Sequence, residues 1–211
     1  MHLYISEQIR KKYGFGNDFL VGAILPDIKK LNGENRDKTH YIVERKKNRV
    51  ISRLPEVDNY IQDSKGEENK EIRYGYISHL IQDNIWFSDF IPKFGEEIGV
   101  DSYNDQIYVF PKEQKKIIRT KSEFLDRLYG DYKVFNLKIK EEFGRIDTSI
   151  IQSLLKDNIN LSYEAEEKMK EFLELDEIQG NTFFIKDSIM REYFSKCIEE
   201  NSKIIEKMIM K

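Results

Sequence analysis

The chain holds only three histidines, His2, His40 and His79, all before residue 80. Imidazole binds borderline metal ions and moves protons near neutrality, so its neighbours decide what it can do. His79 stands in Tyr76-Ile77-Ser78-His79-Leu80-Ile81-Gln82-Asp83, four residues before a carboxylate. On a helix that spacing puts both side chains on one face. Such a pair can aim a nitrogen and an oxygen at one cation about 2 Å from each. Gly75, one turn earlier on that face, leaves room for another backbone or a ligand. Asp27 follows Pro26 at the expected end of a short apolar helix, where a side chain can cross a cleft. His40 lies in Thr39-His40-Tyr41, which opens the next helix. Asp and His together make an N/O site suited to zinc, iron, manganese or nickel. Each fragment alone is ordinary, since a histidine on an apolar helix face is usually a hydrogen-bonded core residue and His-x-x-x-Asp an intrahelical contact. Their combination in so histidine-poor a chain points to a metal.

The elements that must carry these residues are helices. Leu3, Ile5, Ile9 and Tyr13 give residues 2–13 one apolar side, ended by Gly14 and Gly16. Asn17 or Asp18 caps an apolar helix over 19–25, which stops at Pro26-Asp27. Residues 28–37 read as a loop, and 38–54 as a third helix closed by Pro55. Residues 67–90 form the strongest helical pattern, with apolar positions too numerous for one narrow stripe, as in a helix buried on much of its circumference. Residues 106–110 alternate weakly and suit a short extended segment, while 121–143, 148–156, 163–173 and 187–210 are amphipathic helices. The expectation is a single all-α domain of seven or eight helices over 1–211. Its metal-site half covers about 1–92 and a helical remainder about 93–211. No apolar strand runs alternate with the helices, which excludes a doubly wound fold.

Composition narrows the function classes. Of 211 residues, 35 are Lys or Arg and 38 Asp or Glu, a net charge of −3 that gives no global field for nucleic acid or an anionic membrane. Hydrophobic residues at 39% and aromatics at 12% suffice for a core and exclude intrinsic disorder. One cysteine, Cys197, excludes a disulfide framework and a thiolate metal cluster. The opening Met-His-Leu-Tyr-Ile-Ser-Glu does not read as a secretory signal, and no window reaches the roughly 20 apolar residues of a membrane span. A soluble cytoplasmic protein is expected.

The segments His2-Leu3-Tyr4-Ile5, Phe19-Leu20-Val21-Gly22-Ala23-Ile24-Leu25-Pro26-Asp27-Ile28, Thr39-His40-Tyr41 and Tyr74-Gly75-Tyr76-Ile77-Ser78-His79-Leu80-Ile81-Gln82-Asp83 occur in that order. Together they resemble the bacterial zinc-dependent phospholipase C family, which is related to the fungal zinc-dependent single-strand nucleases. The resemblance spans about the first 90 residues. It implies an all-helical fold with metal ligands at Asp27, His40, His79 and Asp83, and His2 as counterpart of an early histidine that binds a neighbouring metal. Characterised members hold three zinc ions, using further histidines, a glutamate and the amino group of a processed N-terminus. This chain has no histidine after His79 and shows no leader, so the expectation is one ion. A second would bridge through Asp83 to His2 and a further carboxylate, with Asp89 or Asp131 as candidates. For Asp131, in Leu128-Tyr129-Gly130-Asp131-Tyr132, a surface acid beside a helix kink is the preferred reading. The all-helical HD-domain phosphohydrolases rank lower, because their adjacent His-Asp dipeptide is absent.

The function expected is that of a metal-dependent phosphoester hydrolase, phospholipase C-like, in which a metal-activated water attacks a small-molecule or lipid phosphoester. Asp27 and Asp83 are the candidate catalytic residues. A proton donor or cation to help the leaving oxygen could come from Arg36, Lys38 or Tyr41, or from the basic run at residues 45–49 on the same helix as His40. No specific nucleic-acid partner is expected. Two rivals remain: a purely structural metal site, and a helical interaction module with incidental histidines. Trp86, Phe87 and Phe90 read as core or as the lining of a lipid or base pocket. Phe183, Phe184, Met190, Tyr193, Phe194, Ile204, Met208 and Met210 read chiefly as core.

Overall fold

The computed structural model describes residues 1–47, 50–98, 106–109, 117–174 and 181–210. Its core is helical, as expected, with a small antiparallel sheet at one edge. Helix α1, His2–Tyr13, buries Leu3, Ile5 and Ile9 and ends at Gly14, whose φ of 70° directs its N–H back to Arg10. This left-handed end is one that glycine adopts without steric cost. Helix α2 runs over Asp18–Leu31, through Pro26 rather than stopping there. A proline removes a single helical N–H and usually ends a helix. Here complete burial of Phe19, Ile24 and Ile28, about 1.5–3 kcal/mol each, keeps the coil intact. Asp27 is therefore on a helix face one turn after Ala23, not at a terminus.

The reading of 38–54 as helix is overturned. Helix α3 is only Arg36–Thr39, capped by the Asn35 side chain, which accepts from the N–H groups of Asp37 and Lys38. Tyr41 then takes a positive φ of 51°. Strands β1 (Ile42–Lys47) and β2 (Val50–Pro55) pair antiparallel, with Ile42 opposite Pro55 and Lys47 opposite Val50. Ile42-Val43 and Val50-Ile51 are β-branched pairs suited to strands. Arg45, Lys46 and Lys47 of the basic run thus lie on strand β1 and not on a helix with His40, and Asn48 and Arg49 lie outside the described residues.

After α4 (Val57–Asp63) comes α5 (Lys70–Ile85), capped by Asn69, which accepts from Glu71 and Ile72. It is buried around most of its circumference and runs into a π-turn over Trp86–Phe90. Strands β3 (Gly95–Ile98), β4 (Gln106–Val109) and β5 (Ile117–Thr120) extend the hairpin in the order β1-β2-β3-β4-β5. The extended segment expected at 106–110 is β4, with Phe110 outside the described residues. Helices α6 (Lys121–Phe143), α7 (Thr148–Asn158), α8 (Tyr163–Glu174) and α9 (Asp187–Ile209) follow the expected amphipathic spans closely. Thr120 and Glu123 form a reciprocal capping box at the start of α6. Trp86 and Phe90 are core side chains packed on Tyr193, and the Trp86 indole N–H donates to the Tyr132 hydroxyl at 2.6 Å. Phe184, Met190, Tyr193 and Phe194 are likewise core, whereas Met210 is exposed.

Helices α2 and α5 cross in backbone contact. A Cβ on Gly75 would lie 2.0 Å from the Phe19 carbonyl oxygen, and one on Gly22 would lie 2.1 Å from that of Ile72. The room that Gly75 leaves is filled by a neighbouring backbone, not by a ligand. Gly75→Ala must push the helices apart. The expected cost is about 1–3 kcal/mol or more, read as a lowered urea midpoint and a Tm depressed by several degrees.

Candidate metal centre

The α2–α5 contact places the site. His79 is completely buried on α5, and its Nδ1 lies 2.8 Å from the Ala23 carbonyl oxygen on α2. A carbonyl only accepts, so Nδ1 carries the proton and Nε2 presents a lone pair. That Nε2 is buried with no hydrogen-bond partner, 3.8 Å from Asp83 Oδ2. Burial pushes the His79 pKa down to about 4, so the ring is neutral at physiological pH.

His2 is held in the same sense. Its Nδ1 donates to Gln82 Oε1 at 3.1 Å, the Gln82 amide being oriented by donation to Ser6 and Ser78. Its Nε2 then faces Asp83 Oδ1 at 3.2 Å. The two rings stack with centroids 4.1 Å apart. His40, buried at the end of α3, has Nε2 3.3 Å from Asp27 Oδ1 and 3.9 Å from Asp83 Oδ2. Its Nδ1 is 2.8 Å from Thr39 Oγ1, which also reaches the Arg36 carbonyl. A hydroxyl can accept from or donate to Nδ1, so Thr39 serves either tautomer. Tyr76 donates to the Thr39 carbonyl and ties this turn to α5.

The structure thus brings His2, Asp27, His40, His79 and Asp83 to one place. The His40 and His79 rings are 5.1 Å apart, inside the roughly 8 Å that a shared cation at bonds near 2 Å allows. Among the described residues, two overlapping ligand groups emerge, His2 with His79 and Asp83, and Asp27 with His40 and His79. Within each group the donor atoms lie within 4.8 Å of one another. Tetrahedral ligands at zinc bond lengths are separated by about 3.4 Å, comparable to the 3.2–3.9 Å seen between these imidazoles and carboxylates.

Electrostatics favour a cation. Burial alone raises the Asp27 carboxyl, but the hydrogen bond to His40 and the imidazoles of His79 and His2 outweigh it and hold the pKa well below the usual carboxylate range. Burial likewise raises Asp83, and the neighbouring His2 and His79 imidazoles reverse it. Two ionised carboxylates face imidazole lone pairs across gaps that a proton or a cation must fill. The unpartnered Nε2 of His79 fits a metal better than a proton, because its pKa is depressed.

Asp89 and Asp131 belong to neither ligand group. Asp89 pairs with Lys196 at 2.6 Å. Asp131 is buried, not a surface acid, and accepts the backbone N–H groups of Phe183, Phe184 and Ile185 at 2.5, 2.7 and 2.9 Å. Of the candidate proton donors and cations, Tyr41 is turned toward Asp63 and Arg45 pairs with Glu56. Lys38 is exposed. Arg36 reaches the centre, with Nη2 3.7 Å from Asp83 Oδ2. Burial lowers the pKa of the Met1 amine, which feels the Asp27 charge, to about 6. Sequence reasoning missed Ala23, Thr39 and Gln82 as partners that orient the rings.

A family profile described as zinc-dependent phospholipase C matches residues 1–134, more than half of the chain. The chain belongs to the zinc-dependent phospholipase C family. The match takes in α1 to α5, every candidate ligand, the sheet and the first part of α6. No curated protein and no solved structure matches the chain. Membership of this zinc-dependent family implies a divalent metal, and the His/Asp groups supply nitrogen and oxygen donors suited to it.

Four outcomes follow. Chelator-competition titration should show at least one zinc bound per chain, with affinity lost in His79→Gln. Gln82→Ala, which frees the His2 ring, should weaken zinc by about 10- to 100-fold. In the metal-free protein the depressed His79 pKa means that the unfolded chain binds more protons between about pH 6.5 and 4. Stability should therefore fall as pH drops through that window, less steeply in His79→Gln, as read by urea unfolding. Asp131→Ala should leave zinc stoichiometry unchanged while costing about 1–3 kcal/mol or more, because three buried N–H groups lose their acceptor.

Proposed function

We propose that this member of the family is a metal-dependent phosphoester hydrolase whose reaction runs at the His/Asp centre. The observation that carries the reading is the buried, unpartnered Nε2 of His79, a neutral lone pair between two ionised carboxylates. Asp27, His40, His79 and Asp83 would hold one ion, and His2 with the other oxygen of Asp83 would adjoin a second. Zinc is the ion favoured by the donor set and the family, with iron, manganese and nickel next. When bound it supplies Lewis acidity toward a phosphoryl oxygen and acidifies water.

The residues of the chain do the rest. Asp27 and Asp83 are ionised throughout the neutral range, so each is a weak proton acceptor. They would neutralise a bound cation and accept hydrogen bonds that orient the attacking water. The histidines, fixed by Ala23, Gln82 and Thr39, keep their Nε2 atoms trained on the centre without reorganisation. Asp27 is half-buried, so the centre opens to solvent on its side. The substrate class proposed is a small-molecule or lipid phosphoester, consistent with the family name. Among the described residues no helix is long and apolar enough to cross a membrane.

Bis(4-nitrophenyl) phosphate offered to the zinc-loaded protein tests the reading. Release of 4-nitrophenolate, abolished by chelator and reduced at least 100-fold in a folded His79→Ala variant, supports it. A protein that binds zinc and loses helical signal on chelation, yet cleaves neither this diester nor phospholipid, has a structural metal site. One that takes up no metal is an interaction module.

A further inference from the structure

We infer that Arg36 is the anion receptor of this centre, the side chain that takes a non-bridging oxygen of the phosphoryl group. The inference rests on the hydrolase reading above. Arg36 opens α3, one turn before His40, and its side chain is half-exposed. Its Nη2 lies 3.7 Å from Asp83 Oδ2, too far for a hydrogen bond. The guanidinium carbon sits 5.5 Å from the centre of the Phe87 ring. Phe87 follows Asp83 by four residues, as Asp83 follows His79, so ring, carboxylate and imidazole succeed one another along α5 and its π-turn. Stacking on that ring holds the planar fork at the edge of the centre.

Asp83 Oδ2 is also the oxygen that faces His40 and His79. An oxygen committed to a cation cannot also satisfy the five donors of a guanidinium. A cation at the centre would neutralise Asp83 and weaken its hold on Arg36, whose charged partner there among the described residues is that carboxylate. The adjacent carboxylate that could recapture it, Asp37, is paired with Arg53. Neighbouring cations are engaged elsewhere, Arg45 with Glu56 and Lys29 over the Tyr76 ring. A guanidinium presents parallel N–H groups at the spacing of two phosphate oxygens. Placed beside a metal it would also meet the charge that builds on those oxygens during hydrolysis.

Inorganic orthophosphate is the probe, titrated calorimetrically into the zinc-loaded full chain, Arg36→Ala and Arg36→Lys. Zinc affinity is measured for each by chelator competition. The expected result is zinc binding within a few-fold of the parent in both variants. Orthophosphate affinity should fall about 10- to 100-fold in Arg36→Ala, with partial recovery in Arg36→Lys, which keeps the charge but not the fork. Orthophosphate binding in Arg36→Ala as tight as in the parent overturns the assignment and leaves the metal reading standing. Loss of zinc in Arg36→Ala also overturns it, making the arginine a structural partner of Asp83. A parent chain that binds no zinc removes the hydrolase reading and this inference together.

Discussion

The contact on which the site depends is the one between two helix backbones. Gly22 and Gly75 let α2 and α5 approach until each would-be Cβ overlaps a carbonyl of the other helix. At that separation the Ala23 carbonyl reaches His79 Nδ1. The bond does two things at once, since it satisfies a buried donor and decides which nitrogen keeps the lone pair. Asp27, one turn beyond Ala23 on α2, is brought by the same contact within reach of His40. Any side chain at the crossing would move donors whose positions must agree within a fraction of an ångström to share a cation.

Charge then explains why the cluster tolerates burial. Three imidazoles and two carboxylates gathered in a largely solvent-free region leave an uncompensated charge of about −2 when the rings are neutral, an arrangement that costs several kcal/mol per ion. Arg36 offsets part of it from 3.7 Å. His79 cannot, because its burial opposes protonation. A divalent cation would remove that deficit, and the His/Asp groups offer donors suited to one.

The residues of the candidate site were legible in different degrees. His79 and Asp83 were legible because a four-residue helical spacing fixes their relation without tertiary knowledge. His2, Asp27 and His40 were legible only through their order and neighbours, since nothing local says that α1, α2 and α3 converge. The helices from α6 to α9 followed from amphipathic period alone. The hairpin at Ile42–Pro55 was missed because Lys, Arg and Glu dominate the segment and favour helix in isolation. Strand pairing and the positive φ of Tyr41, both nonlocal or conformational facts, won. Pro26 misled for the opposite reason, a local breaker overridden by packing on both sides.

Asp83 and Asp131 show how a buried acid declares its purpose. Both sit on long helices and both are almost sealed from water. Asp131 accepts three backbone N–H groups, and these fix residues 183–185 just ahead of α9. With that much donation the carboxylate is satisfied, and a cation would find little lone-pair density left to claim. Asp83 is surrounded by three imidazole nitrogens, two of which have already spent their protons on Gln82 and Ala23. Those two rings have no proton left to give it, and Arg36 stands at the rim. The two aspartates differ less in burial than in what faces them. The number of donors already committed to a carboxylate, and not the bare presence of a carboxylate near aromatics, separates a structural staple from a candidate metal ligand.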